Sequence, residues 1–318
     1  MRGEWDVARP PIVAPGASWR VSLALLDGLV NPVHPWLNTW LRVVFSEGGP
    51  MQLGLDAMRV ALHRLQLIQD KHVNPRISPA DDMYDHNNPA AYEHYLTVGR
   101  DAIRVICTAL VLCRKTEIRS ILDLPCGYGR VMRYLRVAFP DALITGCDLA
   151  PDKVAFCHEF FGSIGVESKE DFPALQFDAG FDLIWSGSLL THLPLESVTK
   201  AIALFRRSLN PGGVAVFTVH GRHSLFAQHH KFKYLPAEQF EAVKRGYYAD
   251  GFGYAGYPAG HSAATEQLPR YGISVCAPWF VIQKLVLDDS VRVVSYCERG
   301  WDNHQDVVVI QNVAVNAD

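Results

Sequence analysis

Two acids and two glycines have the types and the spacing of a nucleotide site. Asp123 ends an apolar run, and Gly127 and Gly129 follow it in the segment P-C-G-Y-G-R. Glycines let a backbone approach a ligand where a Cβ would intrude. Asp148 ends a second apolar run about twenty residues later, where a carboxylate can accept hydrogen bonds from a ribose diol. The pattern predicts a nucleotide-derived ligand.

The same residues distinguish between two kinds of nucleotide. The dinucleotide pattern G-x-G-x-x-G requires a third glycine where this chain has Met132. A carboxylate at Asp123 is also foreign to that pattern, and it suits a ligand with a cationic amino acid end. The residues therefore favour S-adenosylmethionine, and dinucleotide binding is the alternative.

The elements that must position these residues alternate between strand and helix. Strands are predicted at 118–124, 142–148, near 166, at 181–186 and at 213–220, with helices at 90–113, 129–139, 152–161 and 196–208. This order predicts an α/β fold with a doubly wound parallel sheet. The last two strands, 291–297 and 306–315, are joined by a loop too short for a crossover helix, so we expect them to be antiparallel.

Four segments together resemble the ordered motifs of class I S-adenosylmethionine-dependent methyltransferases, over residues 90–318. They are D-L-P-C-G-Y-G-R, G-C-D-L, F-D-L-I-W-S-G-S-L-L-T-H-L and L-N-P-G-G-V-A-V-F-T. The resemblance implies a Rossmann-like, seven-stranded sheet of order 3-2-1-4-5-7-6 with an antiparallel last strand. It also implies S-adenosyl-L-methionine as cofactor and methyl transfer as the activity.

The resemblance assigns cofactor-binding roles by position. The methionine end is expected near Asp123, Pro125, Cys126, Gly127, Gly129, Ser186 and Gly187. The ribose and adenine are expected near Asp148, Leu149, Asp171 and Phe172. The carboxylate is expected under Tyr92, Tyr95 and Arg100 of the preceding helix. Relatives commonly have glycine where this chain has Pro125, but proline keeps the carbonyl that an ammonium group needs.

Histidines beyond the carboxyl ends of the strands are the candidates for a catalytic base. They are His192, His220 and His304, with His304 preferred because its turn also contains Trp301, Asn303 and Gln305. We expect substrate contacts from His223, Tyr254, Tyr257, Trp301, Asn303 and Gln305. The predicted reaction is O-methylation of a small-molecule or sugar-like acceptor. The alternatives are N- or C-methylation, and a catalytically silent subunit that binds the cofactor. No metal is predicted, since no acids lie at ligand spacing from the histidines of 220–230.

The chain is predicted to have two parts. Residues 1–80 form a helical extension, a cap or a dimerisation element, and residues 81–318 form the methyltransferase domain. Within that domain, the aromatic and glycine-rich block 221–277 is predicted to be a substrate lid. The apolar N-terminal helices are compatible with a homodimer.

Composition limits the remaining function classes. A net charge of -3 and a pI of about 6.5 give no electrostatic reason to expect a nucleic-acid partner. Seven cysteines without a C-x-x-C pair favour buried thiols in a reducing compartment. The N-terminus lacks the apolar core of a signal peptide, and no apolar stretch is long enough for a membrane span. We therefore expect a cytoplasmic protein.

Overall fold

The computed structural model describes residues 50–258 and 270–313. Most of these belong to one compact unit, Leu53–Asp318. Residues 1–49 of the predicted helical extension lie outside the described residues. No helix within the described ranges is both long enough and apolar enough to cross a membrane.

The main sheet has seven strands. In chain order they are β1 Ser120–Asp123, β2 Leu143–Asp148, β3 Ile164–Glu167, β4 Phe181–Ser186, β5 Leu209–Val219, β8 Val291–Trp301 and β9 Gln305–Asn312. The spatial order is β3-β2-β1-β4-β5-β9-β8, and β9 is antiparallel to both of its neighbours. The predicted order and the antiparallel last strand are confirmed.

Helices cover both faces of this sheet. They are α1 Pro50–Leu67, α2 Ala91–Leu112, α3 Met132–Ala138, α4 Pro151–Phe161 and α5 Leu195–Ser208, followed later by the short α8 Pro278–Phe280. Residues Val281–Val286 continue α8 as a π-helical turn. Short 3₁₀ turns lie at Asp70–His72, Phe172–Ala174 and Leu190–His192.

Along each central strand, apolar side chains point alternately to two hydrophobic cores, one on each face of the sheet. Ile121 and Leu183 pack into the core beneath α2, α3 and α4, while Leu122 and Ile184 pack into the core beneath α5. All four side chains are fully buried. Successive side chains of a strand are therefore buried on opposite faces of the sheet, as expected when helices cover both faces. The carboxyl ends of β1, β2 and β4 remain open to bind a ligand.

The described residues of the block 221–277, namely 221–258 and 270–277, pack around a small core of their own. The block contains α6 Arg222–Ala227, a π-helical turn Gln228–Phe232, α7 Ala237–Asp250 and the antiparallel pair β6 Phe252–Gly256 and β7 Gly272–Cys276. Six buried residues form its core, namely Leu225, Leu235, Phe240, Val243, Ile273 and Val275. The backbone N–H of Cys276 donates to the carbonyl of His220 at 2.7 Å, which ties the end of this block to the end of β5.

A buried arginine connects residues 74–76 to the turn that contains Gly127 and Gly129. Arg133 of α3 is 1% exposed and donates to three backbone carbonyls, those of Gly129, Asn74 and Arg76, at 3.2, 2.9 and 3.0 Å. A guanidinium satisfies several carbonyls at once because its five N–H donors are fixed in one plane. This contact brings the residues that follow Arg76 over the open end of the sheet.

Candidate active site

A cleft of about 490 Å³ lies at the carboxyl ends of β1, β2 and β4. This is where ligands bind in open α/β sheets. Nine of the predicted cofactor residues line it: Asp123, Pro125, Cys126, Gly127, Asp148, Leu149, Asp171, Phe172 and Gly187. The segment between Arg76 and α2 contributes Asp81, Asp82 and Met83, and the 221–277 block contributes Tyr271.

The glycine turn has a backbone that other residues adopt with difficulty. Gly127 and Gly129 have φ angles of 52° and 77°, in the left-handed region. A Cβ on Gly129 would lie 2.2 Å from the ring of Phe161, whereas one on Gly127 would meet nothing within 4 Å. Gly129 is therefore required by packing behind the turn, and Gly127 leaves the cleft side open for a ligand.

Asp148 has both carboxylate oxygens engaged by the backbone. Oδ2 accepts a hydrogen bond from Gly127 N at 2.9 Å, and Oδ1 accepts one from Ala150 N at 3.1 Å. Each oxygen retains a second lone pair, as a pair of ribose hydroxyls requires. Burial raises the pKa of Asp148, and nearby Lys153 opposes that shift.

Asp123 is the second carboxylate of the cleft, and it is 1% exposed. Its Oδ2 is buried without a hydrogen-bond partner. Burial, and then repulsion from Asp148, raise the pKa of Asp123 well above its usual range. A buried anion without a partner is costly, and a cationic ligand removes that cost. The amino group of S-adenosylmethionine fits this requirement, so the two acids suit the cofactor that the sequence predicts.

Arg130 is a cleft residue that the sequence interpretation missed. Its guanidinium carbon lies 5.8 Å from the ring centre of Tyr95 and 5.9 Å from that of Trp301. Within residues 50–258 and 270–313 its side chain has no hydrogen bond or ion pair, and burial lowers its pKa. It can therefore bind a ligand carboxylate. The signal was available, because Arg130 directly follows the second glycine of the turn.

The three residues predicted to cover the methionine carboxylate do not line the cleft. Arg100 forms an ion pair with Asp70 at 2.7 Å on the outer side of α2. Tyr92 is 38% exposed and packs edge-on against Tyr84. Tyr95 is buried, and its hydroxyl donates to Asp81 at 2.6 Å. Arg130, held over the Tyr95 ring, lines the cleft, whereas Arg100 does not, so the predicted role of Arg100 stays a prediction.

Two further predicted cofactor residues lie behind the cleft surface. Gly129 packs on Phe161 as described above. Ser186 ends β4 fully buried, and its Oγ has no hydrogen-bond partner. Neither residue lines the cleft, so each can affect the cofactor only through its neighbours.

His192 is the predicted base that lines the cleft. It lies in the 3₁₀ turn after β4, and its ring stacks on Tyr271 at 4.6 Å. Its Nδ1 is 2.8 Å from the carbonyl oxygen of Gly272. A carbonyl can only accept, so Nδ1 carries the hydrogen, and in the neutral ring the lone pair is on Nε2. This tautomer is suitable for accepting a proton.

The other histidines form a row that leads away from the cleft. His220 lies 6.1 Å from His192 and 5.4 Å from His304, and His223 lies 6.0 Å from His304, between ring centres. His220 is 5% exposed, and its pKa is lowered well below the usual value by burial, and then by His192 and His304. Burial also lowers the pKa of His304 and of His223.

His304, the preferred base, is not among the residues that line the cleft, and its predicted role stays a prediction. Asp302 and Asn303 have positive φ angles of 50° and 51°, which bend the hairpin so that the His304 ring packs against Phe232 at 5.4 Å. His304 therefore lies behind His220 instead of over the cleft. In the part of the chain that the structure describes, no group of three potential ligands could hold a metal ion.

Of the remaining predicted substrate residues, Trp301 lines the cleft and the others lie beside it, beneath it or at the surface. Trp301 lines the cleft and packs edge-on against Trp185 at 5.3 Å. The Tyr257 hydroxyl lies 3.3 Å from His192 Nδ1, and Gln305 lies buried beneath the cleft wall. Tyr254 donates to the carbonyl of Arg270 at 2.6 Å and does not line the cleft. Asn303 is exposed in the hairpin turn.

Comparison with known proteins gives a domain match in the region that contains these residues. Residues 121–213 match a family model described as a methyltransferase domain. A malonyl-[acyl-carrier protein] O-methyltransferase of Acetivibrio thermocellus is 27% identical over 49% of this chain and 54% of its own length. A protein of the same name from Halalkalibacterium halodurans is 25% identical over 41% of this chain and 49% of its own. The chain thus spans about half the length of the curated relatives it matches.

Among solved structures, a S-adenosylmethionine-dependent methyltransferase from Clostridium acetobutylicum is similar at 15% identity with a TM-score of 0.47, covering 68% of this chain and 92% of that chain. A similarity of this size carries no functional argument. The sheet order, the acids beside the glycine turn and the matched domain agree with one another. Residues 121–213 therefore match a methyltransferase domain, and the sheet order is the one that the motifs predicted for a class I S-adenosylmethionine-dependent methyltransferase.

Proposed function

We propose that the chain transfers the methyl group of S-adenosylmethionine to an oxygen atom of a small acceptor, with His192 as the base. The observation that carries this proposal is that one cleft contains both the cofactor acids and an imidazole of defined tautomer. The curated relatives are named as O-methyltransferases, which supports an oxygen acceptor.

Different residues of the cleft would bind different parts of the cofactor. Asp123 would hold the ammonium group of the cofactor, Arg130 its carboxylate and Asp148 its ribose hydroxyls. S-adenosylmethionine supplies a methyl group on a sulfonium centre with a good leaving group. The protein must then mainly align the acceptor and remove its proton.

His192 is placed to remove the proton of the acceptor. The carbonyl of Gly272 fixes Nδ1–H, so Nε2 accepts the proton of an acceptor hydroxyl as the new O–CH₃ bond forms. The stacked ring of Tyr271 restricts the rotation of this imidazole. A carboxylate acceptor would need no base at neutral pH, so the effect of removing His192 depends on the acceptor class.

The test uses S-adenosylmethionine with a trideuterated methyl group and a panel of acceptors. The panel contains phenol, catechol, methyl glucoside, benzoate and the malonyl thioester of N-acetylcysteamine, and mass spectrometry detects the labelled ester or ether. We expect transfer to a hydroxyl, and we expect His192→Gln to reduce kcat by roughly 100-fold. His304→Gln is the matched control and should remain within about threefold. Full activity of His192→Gln would contradict the base assignment, and no transfer by the wild type would contradict the reaction.

A further inference from the structure

Ser188 is a cleft residue in the turn between β4 and His192, and the buried side chains of Thr218 and Gln305 hold it. Its backbone N–H donates to Thr218 Oγ1 at 2.8 Å. Gln305 Nε2 is 2.9 Å from its Oγ, and Thr218 Oγ1 is 2.6 Å from Gln305 Oε1. Thr218 is fully buried on β5, and Gln305 is 9% exposed at the start of β9. The network therefore joins the ends of three neighbouring strands.

The hydrogens of this network can be assigned one by one. Thr218 Oγ1 accepts from Ser188 N, and its own hydrogen goes to Gln305 Oε1. That contact fixes the amide of Gln305, so Nε2 is the atom that donates to Ser188 Oγ. The Ser188 oxygen is thus an acceptor within the network.

One hydroxyl hydrogen remains to be placed. Thr191 Oγ1 donates to the carbonyl of Ser188 at 3.0 Å, so it cannot also donate to Ser188 Oγ. The Ser188 hydroxyl can donate to Thr191 Oγ1 only across 3.5 Å, at the limit of a hydrogen bond. Because Ser188 lines the cleft, a ligand atom there is the better acceptor for this hydrogen.

The backbone of Ser188 supports a functional role. Its φ angle is 62°, in the left-handed region that is unfavourable for a residue with a Cβ. Such strain persists where the surroundings enforce it, and it concentrates at functional sites. Here the Thr218 contact to the Ser188 N–H enforces it.

We propose that Ser188 donates a hydrogen bond to the acceptor oxygen, and that Gln305 and Thr218 are positioning residues that set the direction of this bond. The inference rests on the proposed function. Ser188 and His192 lie four residues apart in one turn at the cleft. An acceptor hydroxyl would accept from Ser188, donate to His192 and keep a lone pair for the methyl carbon. The acceptor oxygen then loses its proton to His192 Nε2 as the C–S bond breaks and the O–C bond forms.

This arrangement selects the class of acceptor. An oxygen atom has two lone pairs, so it can accept a hydrogen bond from Ser188 and still attack. A neutral amine has a single lone pair, and a donor directed at it would compete with methyl transfer. The Ser188 hydroxyl therefore favours oxygen acceptors, and it serves a hydroxyl or a carboxylate equally.

The test measures acceptor binding separately from cofactor binding. Protein loaded with S-adenosylhomocysteine is titrated with phenol, catechol, methyl glucoside, benzoate and malonate, and ligand-observed NMR measures their affinities. We expect an oxygen compound of this panel to bind the wild type, and Ser188→Ala to weaken that binding by roughly three- to tenfold. Ser188→Gly, which also relieves the positive φ, should show the same loss. Thr199→Ala removes an exposed hydroxyl on α5 and is the control.

Variants of the positioning residues Gln305 and Thr218 should change acceptor binding in a way that a purely structural role would not produce. A carboxylate in Gln305→Glu accepts from both Thr218 and Ser188, so it should capture the Ser188 hydrogen and reproduce the loss seen in Ser188→Ala. Gln305→Glu and Thr218→Val should raise the acceptor KM more than they lower kcat, with affinity for S-adenosylhomocysteine unchanged.

Two results would overturn the inference while leaving the proposed function intact. One is unchanged acceptor affinity in both Ser188 variants, and the other is that none of the five compounds binds the loaded wild type. Failure of the proposed function would differ from both, because the wild type would then bind acceptors without transferring the labelled methyl group.

Discussion

Single residues decide the ligand that this fold accepts. The buried Oδ2 of Asp123 has no partner, and Asp148 accepts two backbone hydrogen bonds that direct its remaining lone pairs outward. Arg130 supplies a positive charge at the same cleft. An amino acid zwitterion joined to a ribose complements all three groups. The residue types at these positions therefore favour S-adenosylmethionine over a dinucleotide as the ligand.

Arg130 can be tested with a ligand that lacks the amino acid end. Arg130→Met should weaken binding of S-adenosylhomocysteine by roughly tenfold or more, because it removes a charge-assisted hydrogen bond. Binding of 5′-methylthioadenosine, which has no carboxylate, should be unchanged. Arg100→Met is the matched control, and calorimetry measures all the affinities. A loss in Arg100→Met together with no loss in Arg130→Met would restore the role that the sequence predicted for Arg100.

Asp123 should make the ligand-free protein less stable as pH rises. Burial raises its pKa, so over the window between its ordinary and its raised pKa the folded chain keeps a proton that the unfolded chain has lost. Stability therefore falls as pH rises through that window. Asp123→Asn lacks this dependence and should be more stable than the wild type by about 1–3 kcal/mol at pH 7.5, with little difference near pH 4.

Urea unfolding of both proteins at a series of pH values measures this difference. The same variant should bind S-adenosylhomocysteine more weakly, since it no longer offers a charge to the ammonium group. A stability difference that is the same at every pH would show that shape, and not ionisation, is responsible.

At the scale of elements, the loops after the strands bring distant residues into one cleft. The turn after β4 carries Ser188 and His192, the start of β7 supplies the Gly272 carbonyl, and the start of β9 supplies Gln305. The 221–277 block therefore contributes to the wall of the active site through its folded strands. Its predicted role as a substrate lid stays a prediction.

The histidine row joins four elements and should make the fold sensitive to acid. The pKa of His220 is lowered in the folded chain, so as pH falls below the ordinary value the unfolded chain takes up a proton first. Stability is then lost at up to about 1.4 kcal/mol per pH unit. His220→Phe should reduce the slope of stability against pH between 7 and 5, as measured by urea unfolding.

The exposed His63 on α1 provides the control for this experiment. His63→Phe should retain the wild-type slope over the same pH range. An unchanged slope in His220→Phe would mean that His220 takes up its proton at the same pH in the folded and the unfolded chain.

Sequence patterns predicted the sheet better than they predicted the site. The bounds of β4 agree with the prediction, because a strand buried on both faces leaves a continuous apolar run. Local sequence patterns could not predict the orientation of the Arg100 side chain, because its partner Asp70 lies thirty residues earlier. The placement of His304 depends on positive φ angles in its turn, which residue types such as Asp302 permit but do not dictate. The two-stranded sheet inside 221–277 was missed for a similar reason, as its glycine-rich strands show no clear alternation.

At the scale of the whole molecule, one cleft combines two acids from the sheet with aromatic residues from the 221–277 block and the final hairpin. The sheet supplies Asp123 and Asp148, and the other wall supplies Tyr271 and Trp301. The described residues beyond the sheet thus complete the site. The predicted cap or dimerisation role of residues 1–80 stays a prediction.

The central claim is that this cleft binds S-adenosylmethionine through its paired acids, and calorimetry with S-adenosylhomocysteine tests it most directly. We expect one molecule to bind per chain, and Asp148→Ala to weaken binding by at least roughly tenfold, because the variant removes an acceptor for the ribose hydroxyls. Asp250→Ala, at the exposed end of α7, should bind like the wild type. No binding by the wild type, or equal binding by Asp148→Ala, would contradict the account.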